Sequence, residues 1–175
     1  MTGYALFASP IGVCGIAWND VGVAGIQLPD VRKTETRARI RERFPAAREV
    51  APPPHAQQAV EAIVGMLDGD GNDLRDVALD MADIAPFSHR VYETARTIPP
   101  GSTISYGELA EQMGSPRSAR AVGQALGRNP FPIVVPCHRV FAAGGKIGGF
   151  SATGGTRTKL RLLALERNDA RMPHR

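Results

Sequence analysis

The sequence predicts an α+β chain, and three observations point there. Short apolar runs divided by Gly, Pro, Asn and Asp fill the first half. Helical 3.6-residue periodicity fills the second half, and the net charge changes sign between the two. A length of 175 residues suits one domain, or a small domain beside a helical one. With 43% hydrophobic and 22% charged residues, global disorder is not expected. No apolar run approaches the roughly 20 residues that span a bilayer. The opening MTGYALFASPIG lacks the basic stretch and long apolar core of a secretion signal. A cytoplasmic protein that makes no membrane contact is therefore expected. The two cysteines, Cys14 and Cys137, are too few for a disulfide scaffold or a four-ligand metal cluster.

Residues 4–7 and 15–18 read as strands, with Ser9-Pro10-Ile11-Gly12 as the turn. Residues 21–28 read as a third strand after Asn19-Asp20. Residues 31–44 read as a charged surface helix, and Pro52-Pro53-Pro54 closes that region. Ala59, Ile63 and Leu67 fall on one face of a helix over residues 57–67. Gly69-Asp70-Gly71-Asn72-Asp73 is a loop without the ligand spacing or terminal Glu of a calcium site. Residues 77–80 read as one more strand. Residues 1–85 carry 8 Lys/Arg against 12 Asp/Glu, a net of −4, and no reactive constellation. Cys14 reads as a small buried hydrophobe.

A boundary is predicted at Ala85-Pro86, giving units of 1–85 and 86–175. The second carries 13 Lys/Arg against 5 Asp/Glu, a net of +8, which suits a polyanionic partner. Val91, Ala95 and Ile98 mark a helix from Ser88, and Pro99-Pro100-Gly101-Ser102 is a turn. Ser105 can cap a helix over residues 106–113, and Glu108 suits its first turn. Gly114 ends that helix, while Ser115 and Pro116 can open another that runs to Gly127. Two short helices around a tight Gly-containing turn form a helix-turn-helix pattern. On the second helix Ala119, Val122 and Leu126 share one side. Arg120, Gly123 and Gly127 share the other. Such a bare face with one long cation suits a shallow or narrow groove better than reading of major-groove edges.

Asn129-Pro130-Phe131-Pro132 is a rigid turn leading through Ile133-Val134-Val135 to Pro136-Cys137-His138-Arg139-Val140. A thiolate is the nucleophilic form of cysteine, and a free thiol of pKa about 8.5 is only slightly ionised at neutral pH. His138 and Arg139 are residue types that favour ionisation. Neighbours in an extended chain point apart, so contact between Cys137 and His138 requires a bent backbone or a bridging water. The pair alone leaves a hydrolase open, although no oxyanion hole is evident. Tyr106, Ser151 and Glu166 are the other polar candidates, Glu166 near the end of an amphipathic helix over residues 158–167. The Gly-rich loop over residues 146–155 lacks the Lys-Ser ending of a phosphate-binding loop.

Together SYGELA, RAVGQAL, NPFPIVVPCHRV, GGFSA and LLALE resemble the O6-alkylguanine-DNA alkyltransferases over residues 86–167. The first half is similar to that family's variable N-terminal domain in hairpin pattern and length. The resemblance implies a small ribonuclease H-like sheet domain followed by a helical domain holding the site. It implies irreversible, single-use transfer of an alkyl group from guanine O6 to Cys137, without a cofactor. His138 would activate Cys137 through water, Glu166 would orient His138, and Asn129 would fix the adjoining turn. Tyr106 and Ser151 would bind the guanine, and Arg120 would fill the gap left by a flipped nucleotide. Ser105, Ala121, Gly123, Val140 and Phe150 complete the expected substrate-contacting and DNA-contacting set. At Phe150 some relatives carry Tyr, so an aromatic wall remains without the hydroxyl. Some relatives bind zinc through N-terminal Cys and His; Cys14 and His55 are too few, so no metal is expected. The implied partner is double-stranded DNA carrying O6-alkylguanine, met through the minor groove by a monomer. The competing expectations are a lesion-sensing binder that does not react, against which the presence of Cys137 counts, and a sequence-reading regulator.

Overall fold

The computed structural model describes residues 2–145 and 155–171, with side chains up to residue 167. Strands β1 (Gly3–Ser9), β2 (Gly12–Trp18) and β3 (Val23–Gln27) form an antiparallel meander. The two-residue strand β4 (Arg48–Glu49) lies parallel to β1, giving the sheet order β3-β2-β1-β4. Gly12, at φ 121°, permits the tight reversal between β1 and β2. Strand β2 is central and buried from Cys14 onward, which explains its unbroken apolar run. Ile16 and Ile26 enter the main core with Ala59, Ile63 and Met66 of α2 (Pro54–Leu67). Tyr4 and Ala17 form a second small cluster with Ile40 of α1 (Lys33–Arg43). Pro54 occupies the first turn of α2, so the third proline starts a helix as well as closing the preceding segment.

The mixed α+β expectation is met by this sheet and by helices α3 (Pro86–Ala95), α4 (Tyr106–Gln112), α5 (Ala119–Gly127) and α6 (Gly155–Arg171). Residues 77–80 differ from the expected strand: they make a single bridge between Val23 and Leu79. Helix α5 begins at Ala119 and not at Pro116, because Pro116 lies in a turn closed by Ser118 N–H donating to the Ser115 carbonyl at 2.9 Å. The cap on α4 is reciprocal. Glu108 N–H donates to Ser105 Oγ at 3.0 Å, and Ser105 N–H donates to Glu108 Oε2 at 2.8 Å. Val122 and Leu126 of α5 are buried as the face analysis requires, together with Ala125.

One buried cluster crosses residue 85, joining Ile26, Leu28 and Ile63 to Val91, Leu109 and Phe131. Four arginines also cross between the halves, each donating to main-chain carbonyls. Arg43 reaches Pro130, and Arg75 reaches Thr97. Arg96 reaches Leu74, Arg75 and Val77, and Arg161 reaches Pro10 and Ile11. Carbonyls do not titrate, so these ties hold across pH. Among the described residues no helix is long and apolar enough to cross a membrane.

Candidate active site around Cys137

After α5 the chain turns through Asn129. Asn129 Nδ2 donates to the Val135 carbonyl at 2.9 Å, and its Oδ1 accepts from Phe131 N–H at 2.8 Å. The turn is tight enough to hold Ile133 at φ 77°, a rare conformation for a β-branched residue. Val135 N–H donates back to the Phe131 carbonyl at 2.8 Å. Cys137 then opens a 3₁₀ turn, Cys137–Arg139, closed by Arg139 N–H donating to the Pro136 carbonyl at 2.9 Å. The backbone is bent here, yet no hydrogen bond joins Cys137 to the His138 ring among the described residues. Strand β5 (Ile104–Ser105) pairs in parallel with β6 (Val140–Phe141), Ile104 opposite Val140. That two-residue pairing brings the start of α4, and hence Tyr106, beside the Cys137 turn.

Cys137 is buried, with 8% exposure. Burial pushes its thiol up, against a hydrogen bond from Asn129, the Lys159 charge and turn amides that favour the thiolate. The resting group is therefore a thiol that must give up a proton to react. Cys14 is a useful contrast: burial takes it to about 11, and only Ser9 opposes.

His138 is fully buried, and burial holds its pKa below the usual value despite Glu166. It is a neutral imidazole at neutral pH. Its Nε2 lies 2.6 Å from Glu166 Oε1. Burial works against the Glu166 anion, yet hydrogen bonds and charge from His138 and Arg139 bring the carboxyl to about 2. The carboxylate accepts, so Nε2 carries the hydrogen and Nδ1 keeps its lone pair. Nδ1 is buried and has no hydrogen-bond partner among the described residues. Arg139 holds Glu166 from the other side, with Nη2 2.6 Å from Oε1 and Nε 3.1 Å from Oε2. Arg139 Nη1 donates to the Ile98 carbonyl at 2.7 Å, and Gly101 N–H reaches Glu166 Oε2 at 3.3 Å. Every strong group in this buried cluster is thus paired except the one nitrogen able to accept a proton.

The family model for the DNA-binding domain of 6-O-methylguanine DNA methyltransferase matches residues 86–168. A Mycolicibacterium paratuberculosis methylated-DNA–protein-cysteine methyltransferase is 40% identical over 95% of this chain and 93% of its own length. The chain belongs to the methylated-DNA–protein-cysteine methyltransferase family. The crystal structure of Mycobacterium tuberculosis O6-methylguanine methyltransferase superposes with a TM-score of 0.75 at 34% identity, covering 100% of this chain and 97% of that one. The same organism's protein in complex with DNA gives 0.72 at 34% identity, covering 95% of this chain and 94% of that one.

The fold gathers Cys137, His138, Glu166, Asn129 and Tyr106 around one turn. Tyr106 is half-buried, and burial and the Cys137 charge both raise its pKa, so it stays a hydroxyl donor. Val140 is buried in the core, and its carbonyl accepts from Lys159 Nζ at 2.7 Å. Arg120 and Ala121 are exposed on α5. Gly123 faces the Tyr106 ring, which a Cβ would meet at 3.9 Å. Ser105 is occupied by its cap. Phe150 and Ser151 lie outside the described residues. Sequence reasoning gave no role to Lys159 and noted Arg139 only as a cation near the thiol. In a basic half both look like surface charges, and only a buried carboxylate or sulfur beside them marks them out. Lys159 is 1% exposed and stacks 4.6 Å over the Phe141 ring. Among the described residues no group of three or more His, Cys, Asp or Glu could hold a metal.

The buried cluster sets an acid limit. Glu166 and His138 both have depressed pKa values, so each contributes stability above its unfolded pKa that is lost as pH falls toward the folded one. Loss should begin below about 6.5 with His138 and steepen below about 4.5 with Glu166. Holding Glu166 at about 2 is worth on the order of 3 kcal/mol above that window. Urea midpoints from pH 7 to 2 should trace this fall, and a flat profile would contradict the pairing.

Proposed function

We propose that this chain repairs DNA by direct reversal, taking an alkyl group from O6 of guanine onto Cys137 in a single-use reaction. The observation that carries the proposal is the Cys137–His138–Glu166 arrangement: a buried thiol followed in one tight turn by a neutral imidazole with Nδ1 unpaired. Glu166 fixes the tautomer by accepting the Nε2 hydrogen. Nδ1 takes the thiol proton through a bridging water. The sulfur then attacks the alkyl carbon in line, forming S–C as C–O6 breaks, and the electron pair leaves with the guanine. The imidazolium, stabilised by Glu166, and the Tyr106 hydroxyl supply hydrogen bonds or a proton to that leaving base. The thioether has no leaving path under mild conditions, so each molecule reacts once.

In a duplex O6 takes part in base pairing and opens on the major groove, so the thiol of a residue only 8% exposed, on a protein docked in the minor groove, cannot reach it there. The nucleotide is therefore flipped, at a cost of a few kcal/mol. In this reading α4 and α5 are a helix-turn-helix that docks in the minor groove. The exposed Ala121 and the half-buried, side-chain-free Gly123 allow close approach, and Arg120 enters the stack. Ser151 and Phe150 are the proposed guanine contacts, Val140 backs the site from the core, and Ser105 lies at the DNA-facing start of α4. The sheet order supports a ribonuclease H-like N-terminal domain over residues 1–85, with the reactive domain over residues 86–175. The chain acts as a monomer in the cytoplasm without a cofactor.

A duplex carrying one O6-methylguanine tests this directly. Lesion loss should plateau at one equivalent per protein. Cys137→Ala should remove none while still binding the duplex. Loss beyond one equivalent would contradict single use, and binding without loss by the unaltered protein would leave a lesion-sensing binder.

A further inference from the structure

We infer that Arg43 is a positioning residue for Cys137, holding from the first half of the chain the turn that shapes the nucleophile's surroundings. This rests on the reading of Cys137 as the alkyl acceptor. Arg43 stands in the last turn of α1, where the helix dipole favours a cation. Its Nη1 donates to the Ile26 carbonyl at 2.6 Å and to Gln27 Oε1 at 3.2 Å. Its Nη2 donates to the Pro130 carbonyl at 3.1 Å, and Ile26 N–H donates to the same carbonyl at 3.0 Å. Two donors from the first half thus fix one peptide of the Asn129-Pro130-Phe131 turn.

From there each link to the sulfur is short. Asn129 precedes Pro130 and donates to the Val135 carbonyl, which also accepts Cys137 N–H at 2.8 Å. The Asn129 side chain also favours the thiolate of Cys137 through a hydrogen bond. A shift of the Pro130 peptide therefore moves the amide that holds the sulfur.

Arg43 is itself exposed, but two features separate it from an arginine that only meets solvent. A Cβ on Gly25 would stand 2.8 Å from Arg43 Nη2 and 2.6 Å from Phe44 Cζ, so a glycine keeps open the lane the guanidinium occupies. Arg75, which crosses the halves in the same direction, ends on the Thr97 carbonyl and not on the Asn129-Pro130-Phe131 turn.

Free O6-benzylguanine is the probe, because it offers the alkyl group without DNA docking or base flipping. The unaltered protein is measured first, on the free base and on a duplex carrying O6-methylguanine; failure on both would sink the proposed function itself, and failure on the free base alone moves the comparison of variants to the duplex. Given reaction, Arg43→Met should lower the second-order rate constant at least about tenfold, the scale expected of a misplaced reacting group. Arg43→Lys, which keeps the charge but not the fork, should fall between and judges the inference if the methionine variant does not fold. Arg75→Met should stay within about twofold of the unaltered protein. The pH–rate profile of the Arg43 variants should move to higher pH, which loss of stability alone does not produce. An unchanged rate constant, a slower rate with an unmoved profile, or an equal loss in Arg75→Met would each overturn the inference.

Discussion

Replacing Glu166 by Gln should cost about 3–5 kcal/mol of stability, because it leaves Arg139 charged and buried without its anion. Arg139 is 2% exposed, so water cannot replace the lost carboxylate. Alkyl transfer should slow by at least about 100-fold, the usual share of a positioned general base. Two mechanisms converge here: the imidazole loses the anion that stabilises its protonated form, and the tautomer is no longer fixed. The pair Glu166→Gln with Arg139→Met separates them. Removing both charges should restore much of the urea midpoint while the rate stays low. Recovery of the rate along with stability would mean that Glu166 acts by holding the fold alone.

Arg120→Ala should give the opposite profile. Arg120 is exposed on α5, with no hydrogen bond or ion pair among the described residues. Its loss should leave stability within about 0.5 kcal/mol. On duplex DNA the rate should fall about 10- to 100-fold, since a flipped base costs a few kcal/mol and a stacked cation offsets part of it. Reaction with free O6-benzylguanine should not change, because nothing is flipped. Equal loss on both substrates would place Arg120 in the chemistry and contradict its role as a wedge.

Much of this was legible in the chain itself. The hairpin, α1, α2 and the Ser105–Glu108 cap follow from apolar spacing and turn chemistry acting over a few residues. Cys137, His138 and Glu166 were legible as a set only through the motifs around them, since residues 138 and 166 meet through packing of α6. Strands β4, β5 and β6 were not legible: two residues carry no period, and their pairing depends on partners far along the chain. The expected strand over residues 77–80 shortens to one bridge: Ala78 and Asp80 bond to Val23 on either side of Leu79, while the Val77 carbonyl goes to Arg96. Lys159 was missed for a related reason. Sequence shows a charge, and only the fold shows that it is buried against the Val140 carbonyl and the Phe141 ring.

The most direct measurement is intact and peptide mass after incubation with a duplex carrying O6-methylguanine. The protein should gain one methyl, about 14 Da, saturating at one per chain and residing on the peptide that holds Cys137. Cys14, buried with no activating histidine, should stay unmodified. No gain despite lesion binding, or a methyl placed on any residue other than Cys137, would contradict direct transfer to this thiol.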